Sequence, residues 1–87
     1  MSNRLHWFKE QEYRLPGYWH RQWRAVEDPE TCIVKQIVFL RPHRFEYEVM
    51  LHGHLVMAGE QVLRFADITQ AKRYVESVYA REASSRE

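Results

Sequence analysis

Residues 44–51 read R-F-E-Y-E-V-M-L, an alternation that puts Phe45, Tyr47, Val49 and Leu51 on one side and Arg44, Glu46, Glu48 and Met50 on the other. Side chains of an extended chain point to opposite faces in turn, so this pattern predicts a strand with one buried face. The stretch before it, C-I-V-K-Q-I-V-F-L-R at residues 32–41, is rich in β-branched residues and reads as its neighbour, with Pro42-His43 as the bend between them. Two such strands commit the chain to a sheet. The remaining residues must then supply further strands and a cover for the apolar face.

Upstream, Y-W-H-R-Q-W-R-A-V at residues 18–26 has strand composition, and Asp28-Pro29-Glu30-Thr31 suits a type I turn with proline in second position. Downstream, residues 55–58 return as a fourth strand that breaks at Gly59 and resumes over 62–65 after a bulge. L-H-G-H-L at residues 51–55 is the bend before it: Leu51 and Leu55 point to one face, and Gly53 supplies the backbone freedom. After Asp67 the period changes. Ile68, Ala71, Val75 and Val78 form an i, i+3, i+7, i+10 stripe, which predicts an amphipathic helix over 67–81 with Asp67 capping its free N–H groups. Residues 82–87 read as a frayed polar tail, and residues 1–16 as an arm or short helix docking through Trp7 and Phe8 before Pro16-Gly17. The expected architecture is α+β: a four-stranded antiparallel meander over 17–66, the C-terminal helix packed on one face, and the N-terminal arm.

At 87 residues the chain holds one core, so 1–87 is read as a single domain. Its twelve aromatic residues (three Trp, five Tyr, four Phe) are large payloads for so small a core. Thirteen Lys/Arg against twelve Asp/Glu leave it near neutral, unlike a dedicated phosphate-tracking domain. The single Cys32 and the lack of a signal-like apolar region favour a reducing, cytoplasmic setting. The longest apolar run, residues 37–40, is far too short for a membrane span, so no membrane partner is expected.

The turns propose a register. With Pro42-His43 as a two-residue bend, Leu40 lies beside Phe45, Val38 beside Tyr47 and Val34 beside Leu51. With 28–31 as the first turn, Ala25 pairs with Val34, Trp23 with Gln36 and Trp19 with Leu40. One face then carries Trp19, Trp23, Ala25, Val34, Val38, Leu40, Phe45, Tyr47, Val49 and Leu51 beneath the helix, with Arg21 and Gln36 as misfits. The other face keeps Ile33, Ile37, Phe39 and Met50, too much apolar surface to stay bare. Ordinary covers would be the arm's Trp7 and Phe8, or a two-fold homodimer through the sheet face. The functional alternative is a target surface.

Other features are weighed against bland readings. His52 and His54 supply two metal ligands where zinc needs three or four, and His43 lies at the far end of its strand, so no metal and no cofactor are expected. W-H-R-Q-W-R at residues 19–24 interleaves aromatics and cations as nucleic-acid binders do, but this register sends Trp19 and Trp23 to the core. Tyr18, His20, Phe39, Arg41, His43 and Arg44 gather at one end of the free face, with the composition of a protein-binding hot spot or a phosphate-holding patch. No phosphate loop or hydrolase motif occurs, and Cys32 is placed on the buried face, so no catalytic residue is assigned. A small ribonuclease using His20, His43, Arg41 and Arg44 is the enzyme alternative.

The segment F-A-D-I-T-Q-A-K-R-Y-V-E at residues 65–76, following a strand, a glycine bend and a return strand, resembles the ends of small phage and prophage proteins. Those finish in a β-meander and an F-x-x-x-x-x-A-K-x-x-V-E helix, and anti-CRISPR inhibitors are among them. The resemblance spans residues 44–80 and brings no catalytic residue. It implies a compact, non-enzymatic inhibitor that occupies one surface of a larger machine, and the near-neutral charge departs from acidic DNA mimics. The expected function is therefore binding of a protein or protein–nucleic-acid complex through Tyr18, His20, Arg24, Lys35, Ile37, Phe39, Arg41, His43 and Arg44. Arg24, Lys35, Arg41 and Arg44 would steer the encounter, and Ile37 and Phe39 would anchor it. Direct binding of nucleic acid by the same residues is the second expectation.

Overall fold

The computed structural model describes residues 4–10, 13–15, 18–40 and 43–85, and of residues 13–15, 18–20, 39, 40, 43 and 85 the backbone alone. The expected α+β architecture is present, with more strands than four. Three long antiparallel strands form its centre: β3 (Tyr18–Ala25), β4 (Cys32–Leu40) and β5 (His43–Leu51). They are preceded by β1 (Trp7–Lys9) and β2 (Tyr13–Leu15), and followed by the two-residue strands β6 (His54–Leu55), β7 (Met57–Ala58), β8 (Gln61–Val62) and β9 (Arg64–Phe65). Helix α1 (Ile68–Ser85) closes the order.

The described residues of the arm form strands rather than a helix. They extend the sheet, because β1 and β2 both pair with β3, Trp7 opposite Ala25 and Tyr13 opposite His20, and Leu5 and Trp7 pack on the helix-side core instead of covering the free face. The backbone bond from Val26 N–H to the His6 carbonyl (2.7 Å) continues that pairing past the strand end. The fourth strand is also redrawn. Gly59 takes φ 68°, which side-chain-bearing residues rarely adopt, so the chain turns there and β7 and β8 form a small hairpin of their own. β6 and β9, on either side of that excursion, return to β5.

Both long hairpins pair two residues away from the expected register. Trp23 lies opposite Val34, and Val34 opposite Val49. At the first turn, Thr31 and Cys32 N–H both donate to the Asp28 carbonyl, so β4 starts directly after the turn. At the second, His43 is already in β5 opposite Leu40. A slip of two residues keeps the faces unchanged, so Trp23, Ala25, Val34, Tyr47, Val49 and Leu51 of the expected row meet the core, whereas Phe45 is 44% exposed.

That face holds the core. Ala25, Val34, Val49, Ala71 and Val75 are fully buried, with Leu5, Cys32 and Tyr47 around them and Trp7, Trp23, Phe65 and Tyr79 packed at the margin. Burying each of the three valines stabilises the fold by roughly 1.5–3 kcal/mol. The misfit Gln36 is accommodated by donating its amide to the Tyr47 hydroxyl at 2.8 Å. Helix α1 starts at the level of Tyr47, since Phe65 pairs with that residue and only two residues separate β9 from the helix. Asp67 caps it by accepting from Thr69 N–H at 2.6 Å. The helix runs to Ser85 rather than fading at 81, and Glu82 is put to use bonding His52 Nε2 at 2.9 Å. Among the described residues, no helix is long and apolar enough to cross a membrane.

Candidate protein-binding face

The register arranges the helix-free face in bands that run across the strands. At the end nearest the 26–31 turn, one row crosses five strands: Phe8, Arg24, Ile33, Met50 and Leu55. With neighbouring strands about 4.8 Å apart, the row is about 19 Å wide. Ile33 at its centre is only 6% exposed, whereas Phe8 and Leu55 at the two ends are 41% and 37% exposed. Four of the five are apolar, and none of the five belongs to the core cluster beneath the helix.

The next row is polar: Gln22, Lys35, Glu48 and Arg64, with Glu10 at the edge through its backbone bond to Gln22. Here charges are tied in a network. Arg64 reaches Glu46 (3.3 Å) and Glu48 (3.5 Å), and Arg44 sits 4.0 Å from Glu46. The carboxylates lie lower than the cations: side-chain exposure is 26% for Glu46 and 9% for Glu48, against 54% for Arg44 and 44% for Arg64. Positive charge is therefore what the network presents outward.

The expected site residues divide. Tyr18, Phe39 and Arg44 share one row of the register, and His20 and Ile37 share the next. The side chains of Tyr18, His20, Phe39 and His43, and all of Arg41, lie outside the described residues. The backbone register sets His43 in the series of Phe45, Tyr47 and Val49 on the helix side, apart from Arg44. Ile37 is half-buried, and Lys35 lies between Gln22 and Glu48. Arg24 is no free steering charge. Its Nε lies 2.6 Å from Glu10 and its Nη1 donates to the Pro29 carbonyl at 2.7 Å, so it ties the edge strand to the turn. The Arg24 guanidinium, helped by the Gln22 amide, holds the Glu10 carboxyl below its usual range.

Phe8, Leu55 and Arg64 were not among the expected site residues. Leu55 was expected on the core side. His52 and Gly53 both take positive φ, at 54° and 80°, forming a two-residue turn that pairs Leu51 with His54 and Met50 with Leu55. That register differs from the expected one by one residue and turns Leu55 to the free face. Histidine tolerates the left-handed region better than most residues, and L-H-G-H could have been read this way. His52 itself bonds Glu82 of the helix. Cys32 is buried as expected, and burial pushes its thiol up to about 11, reinforced by Asp28, Glu82 and Glu27, so it is a packed thiol rather than a nucleophile.

No family model, curated protein or solved structure matches the chain, and its functional reading rests on this face.

Proposed function

We propose that this chain is a small, non-enzymatic binding protein that docks on a surface of a larger protein or protein–nucleic-acid complex through its helix-free sheet face. The inhibitor role implied by the resemblance to anti-CRISPR and other phage proteins is the specific form of this proposal. The observation that carries it is the row Phe8–Arg24–Ile33–Met50–Leu55, a largely apolar band outside the helix-side core whose two ends are exposed. An apolar centre bordered by Arg and mixed charge is the composition of a protein interface, where desolvated anchors give affinity and rim charges give rate and selectivity. Arg44, Arg64 and Lys35 would act as the rim. Tyr18, His20, Ile37 and Phe39 extend the same register toward the far end of the sheet.

The test is capture of a partner on a tagged chain in its native cell, repeated with a Phe8→Glu, Leu55→Glu variant. Retention by the parent and loss by an equally stable variant supports the proposal. Equal retention removes the row from the site.

One observation favours a second reading, direct nucleic-acid binding: the cations of the charged band stand above its carboxylates. Phosphate contacts release counterions, so such binding would weaken steeply with salt, with a slope near the number of contacts. Mobility-shift titrations with DNA and RNA across ionic strength separate the two. No shift even at low salt ends the second reading.

A further inference from the structure

On the opposite side of the molecule, the N-terminal segment and the first turns of α1 enclose a cleft of about 420 Å³, lined among others by Arg4, Trp7, Thr69, Lys72, Arg73 and Glu76. That volume lies in the range of small-molecule sites, roughly 300–1,000 Å³. Its charge is uneven, with three cations and one carboxylate. The carboxylate is already committed, since Glu76 Oε2 accepts from Leu5 N–H at 2.6 Å and from the Trp7 indole N–H at 3.4 Å. Lys72 is held differently. Its ammonium lies over two indoles, 5.9 Å from the Trp7 ring centre and 5.7 Å from that of Trp23, with no carboxylate partner among the described residues.

An ammonium has three donors and no acceptor capacity, and ring faces satisfy its charge without taking a hydrogen bond in the usual sense. The two indoles hold Lys72 in position, so part of the cost of ordering its long side chain is met before any ligand arrives. Arg73 adds a planar fork suited to phosphate oxygens, Thr69 a hydroxyl, and Arg4 a third cation across the cleft. The half-buried indole of Trp7 forms an aromatic wall beside them. A multiply charged head group next to a planar body matches this arrangement better than a simple carboxylate does.

We propose that this cleft is a binding site for a small organic phosphate of mononucleotide size, its phosphate held by Lys72, Arg73 and Arg4 and its planar part against Trp7. The site is separate from the sheet face and independent of what docks there.

The experiment is a titration of the ¹⁵N-labelled full chain with adenosine monophosphate, and in parallel with adenosine, following the Trp7 indole N–H and the amides of 69–76. The expected result is saturable shifts with the monophosphate that weaken as salt rises, and no comparable shifts with adenosine. Arg73→Gln, at an exposed position, and Lys72→Gln should each weaken binding about tenfold or more, the scale of a lost hydrogen bond to a charged group. Arg73→Gln keeps the test valid if Lys72→Gln loosens the indoles. Equal binding of adenosine, no saturable shift with the monophosphate, or undiminished binding by a folded Arg73→Gln chain would each overturn the proposal.

Discussion

The two faces of one sheet are built from the same strands and reach burial by different means. On the helix side, Ala25, Val34 and Val49 disappear beneath Ala71 and Val75, a stripe of small and β-branched residues spaced to fit a flat surface. On the free side, Ile33 is almost as inaccessible although it lies outside the helix-side core cluster, at the centre of a row between Arg24 and Met50. The first arrangement spends the helix on stability. The second leaves the ends of an apolar row, Phe8 and Leu55, facing outward, and that exposed surface is what distinguishes the proposed binding face from the core.

The contrast can be broken most severely at its core. Val75→Asp puts a carboxylate into the fully buried apolar core, a change expected to cost more than about 4 kcal/mol and to leave the chain largely unfolded by circular dichroism. A Val75→Asp chain that still unfolds cooperatively at a near-parent temperature would mean the helix does not cover the sheet as described. Next in size is Tyr47→Phe, which strands the buried Gln36 amide and should cost roughly 1–3 kcal/mol in denaturant unfolding.

A smaller effect belongs to the sheet edge and depends on pH. The carboxyls of Glu10 and Glu27 both titrate below their ordinary 4.5 in the folded chain. Hydrogen bonds from Arg24 and Gln22 lower Glu10; for Glu27, partial burial pushes upward and is outweighed by the His6 backbone and ring. A depressed carboxyl pKa means that the unfolded chain binds more protons, so the stabilisation is complete above about 4.5 and is lost as pH falls through the folded values. Melting curves between pH 7 and pH 3 should therefore show a shallower acid loss for Arg24→Ala than for the parent chain; identical slopes would remove the Arg24–Glu10 clamp from the account. Smallest of all is Leu55→Asp, expected within about 0.5 kcal/mol of the parent because it alters a position already facing outward. A cost comparable to Tyr47→Phe would show that Leu55 is packed rather than available.

Much of this fold was legible because alternation and helical spacing are strong local signals. The faces of β3, β4 and β5, the Asp67 cap and the Ala71–Val75 stripe all follow from spacing alone. Register was less legible, and parity decided which errors mattered. The two long hairpins pair two residues from the expected register and lose nothing. The His52-Gly53 turn is one residue away, and Leu55 changes face. The arm escaped because β1 and β2 are three residues each, too short to show a period, and owe their form to the edge of β3. Arg64 escaped for a related reason. It reaches Glu46 and Glu48 only after the chain has left the sheet through β7 and β8 and come back. Of the candidate site, the gathering of Tyr18, Phe39 and Arg44 at one end of the sheet was readable but not their common row, and the engagement of Arg24 by Glu10 required the arm to be in place.

Docking through the helix-free face, as proposed, is tested most directly by amide chemical-shift mapping of the labelled chain against its captured partner. Shifts and broadening should concentrate on Phe8, Arg24, Ile33, Met50 and Leu55 and on the neighbouring Lys35, Arg44 and Arg64, leaving Thr69, Arg73 and Ser77 on the outer side of α1 unmoved. A footprint centred on the outer side of α1, with the sheet face silent, would contradict it.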